Sequence, residues 1–173
     1  MTMHVLLMSA LLLNLAVITY QDIRYRSVPV YVFLFACIVS FLLQFQICGM
    51  DELFFIQLLL NSGFIAINLL IVLLYVKKIK KIPLTSAIGL GDLAFYIVLI
   101  PLLSTPVYMY FHLLSLLLIL ISYPILKNTL SLQTRAIPLA GLQAFCLICF
   151  ILLFECFNMN RPIIGSCSII YWI

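Results

Sequence analysis

Two aspartates, Asp22 and Asp92, are the residues whose type and placement could support chemistry, because each stands at the end of an apolar segment. Two carboxyl groups held close together in a low dielectric share one proton, since they cannot both ionise comfortably. The ionised group can then take a proton from water while the protonated group donates to a carbonyl oxygen. This combination meets the requirement for hydrolysing a peptide bond without a covalent intermediate.

The stretch GLGD places two glycines, Gly89 and Gly91, directly before Asp92. Residues without side chains let another backbone approach closely, which suits a substrate strand and equally suits tight helix packing. A structural role also fits both aspartates. Asp22 can pair with Arg26 one helical turn later, and Asp92 can favour the positive end of a helix. The short motif by itself leaves both interpretations open.

The elements that must position these aspartates are apolar helices. Of 173 residues, 66% are hydrophobic and 8% charged, and the mean hydropathy is +1.31, which lies outside the range of soluble globular domains. We predict an all-α polytopic integral membrane protein with one membrane-embedded domain over residues 1–173. The basic residues cluster beside apolar spans, so they indicate membrane orientation and not nucleic-acid binding.

Six apolar runs are long enough to predict membrane-spanning helices. The boundary between the fourth and fifth is the least distinct, because Pro101 and Pro106 could mark either a turn or kinks. The predicted spans are residues 3–20, 29–48, 53–76, 88–104, 106–126 and 139–157.

With six spans, the loops after the first, third and fifth helices share one side of the membrane. These loops hold eight of the nine basic residues, whereas the acidic pair Asp51 and Glu52 falls on the opposite side. The positive-inside bias therefore predicts cytoplasmic basic loops and both termini outside. Asp22 and Asp92 then meet the same cytoplasmic boundary. The basic loop residues are Arg24, Arg26, Lys77, Lys78, Lys80, Lys81, Lys127 and Arg135.

Three stretches, QDIRYRSVP, GLGD and AIPLAGLQAF, together resemble the type IV prepilin peptidase family, including its preflagellin peptidase relatives. The first looks like the family's Asp-x-Arg-x-Arg-x-Ile/Val-Pro and the second like its G-x-G-D. The third looks like the Ile-Pro start of a late helix. The order and the predicted cytoplasmic side agree over most of the chain.

The resemblance implies a membrane aspartyl endopeptidase that cuts the short basic leader from pilin-like precursors at the cytoplasmic face of a prokaryotic inner membrane. It implies that Asp22 and Asp92 are catalytic and that six further residues support the site or bind substrate. No cofactor or metal is predicted. The expected partners are the precursors and the bilayer, and association with a second copy is left open. The supporting residues are Gly89, Gly91, Arg24, Arg26, Pro29 and Pro138.

The chain departs from the family's pattern in two places. No large loop with paired Cys-x-x-Cys motifs follows the first helix, so methyltransferase activity is not expected. The family usually has lysine or arginine two residues after the motif aspartate, where this chain has Ala94.

Two alternative functions are kept. The first is an intramembrane protease, because GLGD also resembles the presenilin and signal-peptide-peptidase group, which cuts helices within the membrane. The second is a non-catalytic membrane protein descended from a prepilin peptidase. His4 and His112 are interpreted as interfacial or packed residues and not as catalytic ones.

Overall fold

The regular structure of the chain is helical wherever the computed structural model describes it, over residues 2–49, 51–75, 77–78, 89–129 and 139–157. The six predicted helices are confirmed, with shifted ends, and no strand occurs in these ranges. The first helix continues beyond its predicted end, so Asp22 lies in its last turn. The helices are α1 (Thr2–Tyr25), α2 (Val30–Cys48), α3 (Glu52–Tyr75), α4 (Leu90–Leu102), α5 (Thr105–Thr129) and α6 (Leu139–Phe157).

Three of these helices are, by length and composition, long and apolar enough to cross a membrane, which is consistent with the predicted membrane protein. They contain the segments Met3–Tyr25, Glu52–Tyr75 and Thr105–Ser122. α2, α4 and α6 carry shorter apolar stretches. α4 has 13 residues and is therefore about 20 Å long, less than the roughly 30 Å of a hydrocarbon core.

The core of the bundle lies between α1, α2, α4 and α6. α1 packs most extensively on α6, α2 packs on α4, and α1 and α2 lie side by side. Close packing of buried apolar side chains in this core fixes the relative positions of the helices that carry the aspartates. Fully buried members include Leu11, Leu15, Ile18, Ala36, Leu43, Phe95, Leu99, Ala144 and Leu147.

α3 closes the corner between α4 and α5 with polar side chains. α4 contains Pro101 in its last turn and ends at Leu102. The Gln57 amide donates to the carbonyl of Leu103 at 3.0 Å, and the Asn61 amide donates to the carbonyls of Ile100 and Leu103 at 2.9 and 3.0 Å. Buried carbonyls at a helix end need such donors in an apolar medium. These bonds allow the chain to turn inside the bundle.

The connection from α1 to α2 is short. Arg26 adopts a left-handed conformation with φ 56°, and its N–H donates to the carbonyl of Asp22 at 3.1 Å, which ends the helix in the manner of a left-handed cap. Pro29 is extended and precedes the first residue of α2, Val30. Pro29 thus has a structural position at the start of a helix.

Candidate active site

Asp22 is held by the start of α6. Its Oδ2 accepts a hydrogen bond of 2.6 Å from the backbone N–H of Gly141. A Cβ at position 141 would lie 2.8 Å from the Cβ of Asp22 and 2.9 Å from its Oδ2. The position therefore requires glycine because any side chain would collide with Asp22.

Asp92 lies in the first turn of α4, and its carboxylate also contacts the start of α6. Its Oδ1 accepts a hydrogen bond of 2.9 Å from the backbone N–H of Ala140, and the backbone of Gly89 also bonds its carboxylate. Gly89 is the N-cap of α4, so Asp92 reaches back to the cap in the way that an acidic residue does in a capping box. A Cβ at Gly89 would lie 3.0 Å from Oδ2 of Asp92.

The two carboxylates thus bind consecutive amides in the first turn of α6. These N–H groups have no acceptor within their own helix, and the helix dipole makes that end positive. The charge of Asp22 acts on Asp92. Two carboxylates anchored on neighbouring amides are an arrangement in which one group can keep a proton while the other stays ionised.

The two arginines of the QDIRYRSVP stretch, Arg24 and Arg26, have different surroundings. The charge of Arg26 acts on Asp22. The Arg24 guanidinium instead lies 5.9 Å from the ring centre of Tyr20 and 5.8 Å from that of Tyr25. Arg26 is thus the arginine beside the carboxylate pair, and Arg24 belongs to the outer surface of α1.

The other predicted supporting residues have different surroundings. Gly91 faces Phe33 of α2, and a Cβ there would make an ordinary contact at 3.8 Å, so packing alone does not require glycine at this position. Ala94 packs against the core, half-buried. Pro138 lies outside the described residues.

Sequence reasoning missed the contribution of α6. The amides of Ala140 and Gly141 join the two aspartates, and neither residue carries a functional side chain. A glycine in the first turn of the last helix, in PLAG, was the available signal, because it marks a close approach of another element. Its partner could not be identified without the fold.

Buried polar side chains continue inward from Asp92. Tyr96 follows one turn later on α4, and Gln143 of α6 faces its hydroxyl. Gln143 is fully buried, and its amide atoms lie outside hydrogen-bonding geometry to any residue of the described ranges. His112 is packed inside the bundle at 4% exposure, with its ring 5.2 Å from that of Tyr96. His112 is therefore a packed residue.

Comparisons with protein-family models, with curated proteins and with solved structures gave no match. Across the described residues, no group of three or more histidine, cysteine or acidic side chains is arranged to hold a metal ion. The site of interest is therefore the carboxylate pair at the start of α6.

Proposed function

We propose that this protein is a membrane aspartyl endopeptidase that removes the short basic leader of pilin-like precursors. The observation that carries the proposal is the convergence of Asp22 and Asp92 on consecutive amides of α6. The motifs around both aspartates, which resemble those of prepilin peptidases, supply the substrate class.

The reaction needs one water and one shared proton. The ionised carboxyl of the pair takes a proton from the water, whose oxygen attacks the scissile carbonyl carbon, and the protonated carboxyl donates its proton to the carbonyl oxygen. When the tetrahedral intermediate collapses, the C–N bond breaks, the carboxyl that took the water proton gives it to the leaving amine, and the other carboxylate regains a proton from a hydroxyl of the intermediate. The positive end of α6 stabilises the single negative charge that remains on the pair.

In the proposed six-span topology, this chemistry lies at the cytoplasmic face of the inner membrane. The basic residues of that side, including Arg24 in the last turn of α1 and Lys78, mark it by the positive-inside bias, and both termini lie outside. Asp22 in the last turn of α1 and Asp92 in the first turn of α4 then share the cytoplasmic boundary. A leader that emerges from the membrane there can reach them.

The activity proposed is peptidase only. The connection between α1 and α2 holds just a few residues around Arg26 and Pro29, with no room for the cytoplasmic loop of the bifunctional relatives. No methyl transfer is expected from this chain.

The test is co-expression with the pilin-like proteins of the same genome that carry a short basic leader before an apolar helix. The size and new N-terminus of each precursor are read for the wild type, Asp22→Asn, Asp92→Asn and a matched surface control, Asp51→Asn. We expect cleavage at the leader boundary by the wild type and the control and by neither site variant.

The same experiment separates the alternatives. A new N-terminus inside the apolar helix would indicate cleavage of the presenilin type. Intact precursor in the presence of folded wild-type protein would support a non-catalytic membrane protein whose aspartates serve as helix caps.

A further inference from the structure

An apolar groove runs along the outside of the contact between α1 and α6. It encloses about 650 Å³ and is lined by one face of α1 and by two side chains of α6. The hydroxyl of Thr19, one of the lining residues, donates to the carbonyl of Leu15 at 2.9 Å, so it presents little polarity to the groove. The lining residues are Ala16, Thr19, Tyr20, Ile23, Arg24, Phe145 and Ile148.

Arg24 is the single basic residue among the lining residues, and it lies at the end of the groove nearest the end of α1. Arg24 is exposed, and no carboxylate in the described ranges lies within ion-pair distance of it. Tyr20 and Tyr25 flank its guanidinium and meet each other edge to face at 6.2 Å. Cation–π contacts of this kind help to hold an arginine side chain in place.

The groove runs from the end of α1 toward the middle of the apolar segment that is long enough to cross a membrane. Arg24 lies in the last turn of a span-length apolar segment, Met3–Tyr25, and Tyr20 and Tyr25 are residues that favour the interface. From Arg24 to Ala16 the groove follows α1 for about 12 Å. A charged mouth at the interface and an apolar floor toward the hydrocarbon fit a headgroup and an acyl chain.

We propose that this groove binds one anionic phospholipid, with its phosphate on Arg24 and an acyl chain along Ala16, Phe145 and Ile148. Charge complementarity selects the occupant, because the unpaired guanidinium at the mouth favours a net negative headgroup over a zwitterionic one. The site is separate from the carboxylate pair, and the proposal does not depend on peptidase activity.

The test is native mass spectrometry of the purified full chain in detergent, titrated with dioleoyl phosphatidylglycerol or dioleoyl phosphatidylcholine. We expect one retained phosphatidylglycerol, bound about fivefold more tightly than phosphatidylcholine, the ratio for one basic residue at a lipid surface. Arg24→Gln should abolish this preference. Lys78→Gln removes the same charge from the same predicted side but outside the groove, and should leave the preference unchanged.

A second variant tests the acyl-chain part of the site. Ala16→Phe fills the floor of the groove and should lower retention of both lipids, with unchanged helix content by circular dichroism as the folding control. Equal effects of Arg24→Gln and Lys78→Gln would overturn the proposal in favour of general surface charge. Equal retention of the two lipids by the wild type, or a second copy of the chain in place of lipid, would also overturn it.

Discussion

The backbone N–H of Gly141 lies 2.6 Å from Oδ2 of Asp22, although the two residues are 119 positions apart in the chain. The neighbouring amide, of Ala140, bonds Asp92. One turn of α6 therefore anchors both aspartates, and their relative position depends on how closely α1 approaches α6.

Gly141→Ala is expected to push Asp22 away from α6. The new methyl group would lie 2.8 Å from the Cβ of Asp22, and relieving such an overlap in a packed interface costs about 1–3 kcal/mol. We expect a lower thermal midpoint in detergent and strongly reduced precursor processing.

Gly63→Ala is the matched control for this substitution. Gly63 is also helical, and a Cβ there would meet no atom within 4 Å. It should be neutral or stabilising by about 0.5–1 kcal/mol. Equal thermal midpoints for the two variants would contradict the close approach of α1 and α6.

The two glycines of GLGD should respond differently to alanine. Gly89→Ala places a methyl group 3.0 Å from Oδ2 of Asp92, whereas Gly91→Ala meets Phe33 at an ordinary 3.8 Å. We expect Gly89→Ala to reduce processing by displacing the carboxylate, and Gly91→Ala to fold normally. Precursor processing and thermal unfolding are measured for both variants to check this difference. A folded but inactive Gly91→Ala would show that this glycine is needed for substrate approach and not for packing.

Asp92→Asn should separate chemistry from structure. The amide oxygen of asparagine can still accept the hydrogen bond from Ala140, so the helix contact and the thermal midpoint should be largely kept. Proton transfer is lost, and processing should fall by at least about a hundredfold. A large drop in protein yield and midpoint would instead show that the charge at the start of α6 is needed for folding.

Asn61→Leu is expected to destabilise the corner between α4 and α5. It removes the donor to the carbonyls of Ile100 and Leu103, at a cost of about 1–3 kcal/mol for buried groups left unsatisfied. Asn68→Leu is the control, since the Asn68 amide donates only to Phe64 within its own helix. Thermal unfolding in detergent should show the larger loss for Asn61→Leu, and the reverse order would contradict this account of the corner.

Gln143→Leu should raise the thermal midpoint. Its fully buried amide faces the Tyr96 hydroxyl but lies outside hydrogen-bonding geometry to the residues of the described ranges, and replacing an unsatisfied polar group by an apolar one of similar size removes a desolvation cost. A lower midpoint would show that Gln143 has a partner, such as an internal water.

Much of the fold could be predicted because hydropathy is a local property. Each apolar run carries its own signal, so the six helices and the membrane character followed from residue order alone. The predicted end of α4, residue 104, differs from the observed end at Leu102, because only Ser104, Thr105 and Pro106 interrupt the apolar sequence there. Its termination depends on Gln57 and Asn61, which α3 supplies from a distant part of the chain.

By itself the sequence determined an all-helical chain with helices apolar enough to cross a membrane, and it singled out Asp22 and Asp92, since charge is rare and costly in such a chain. Only the tertiary structure decided that both carboxylates bind α6, that Gly141 rather than Gly91 is sterically required, and that Arg26 rather than Arg24 lies beside Asp22. These relationships join residues on different helices. They follow from the packing of side chains across the bundle, which no local pattern encodes.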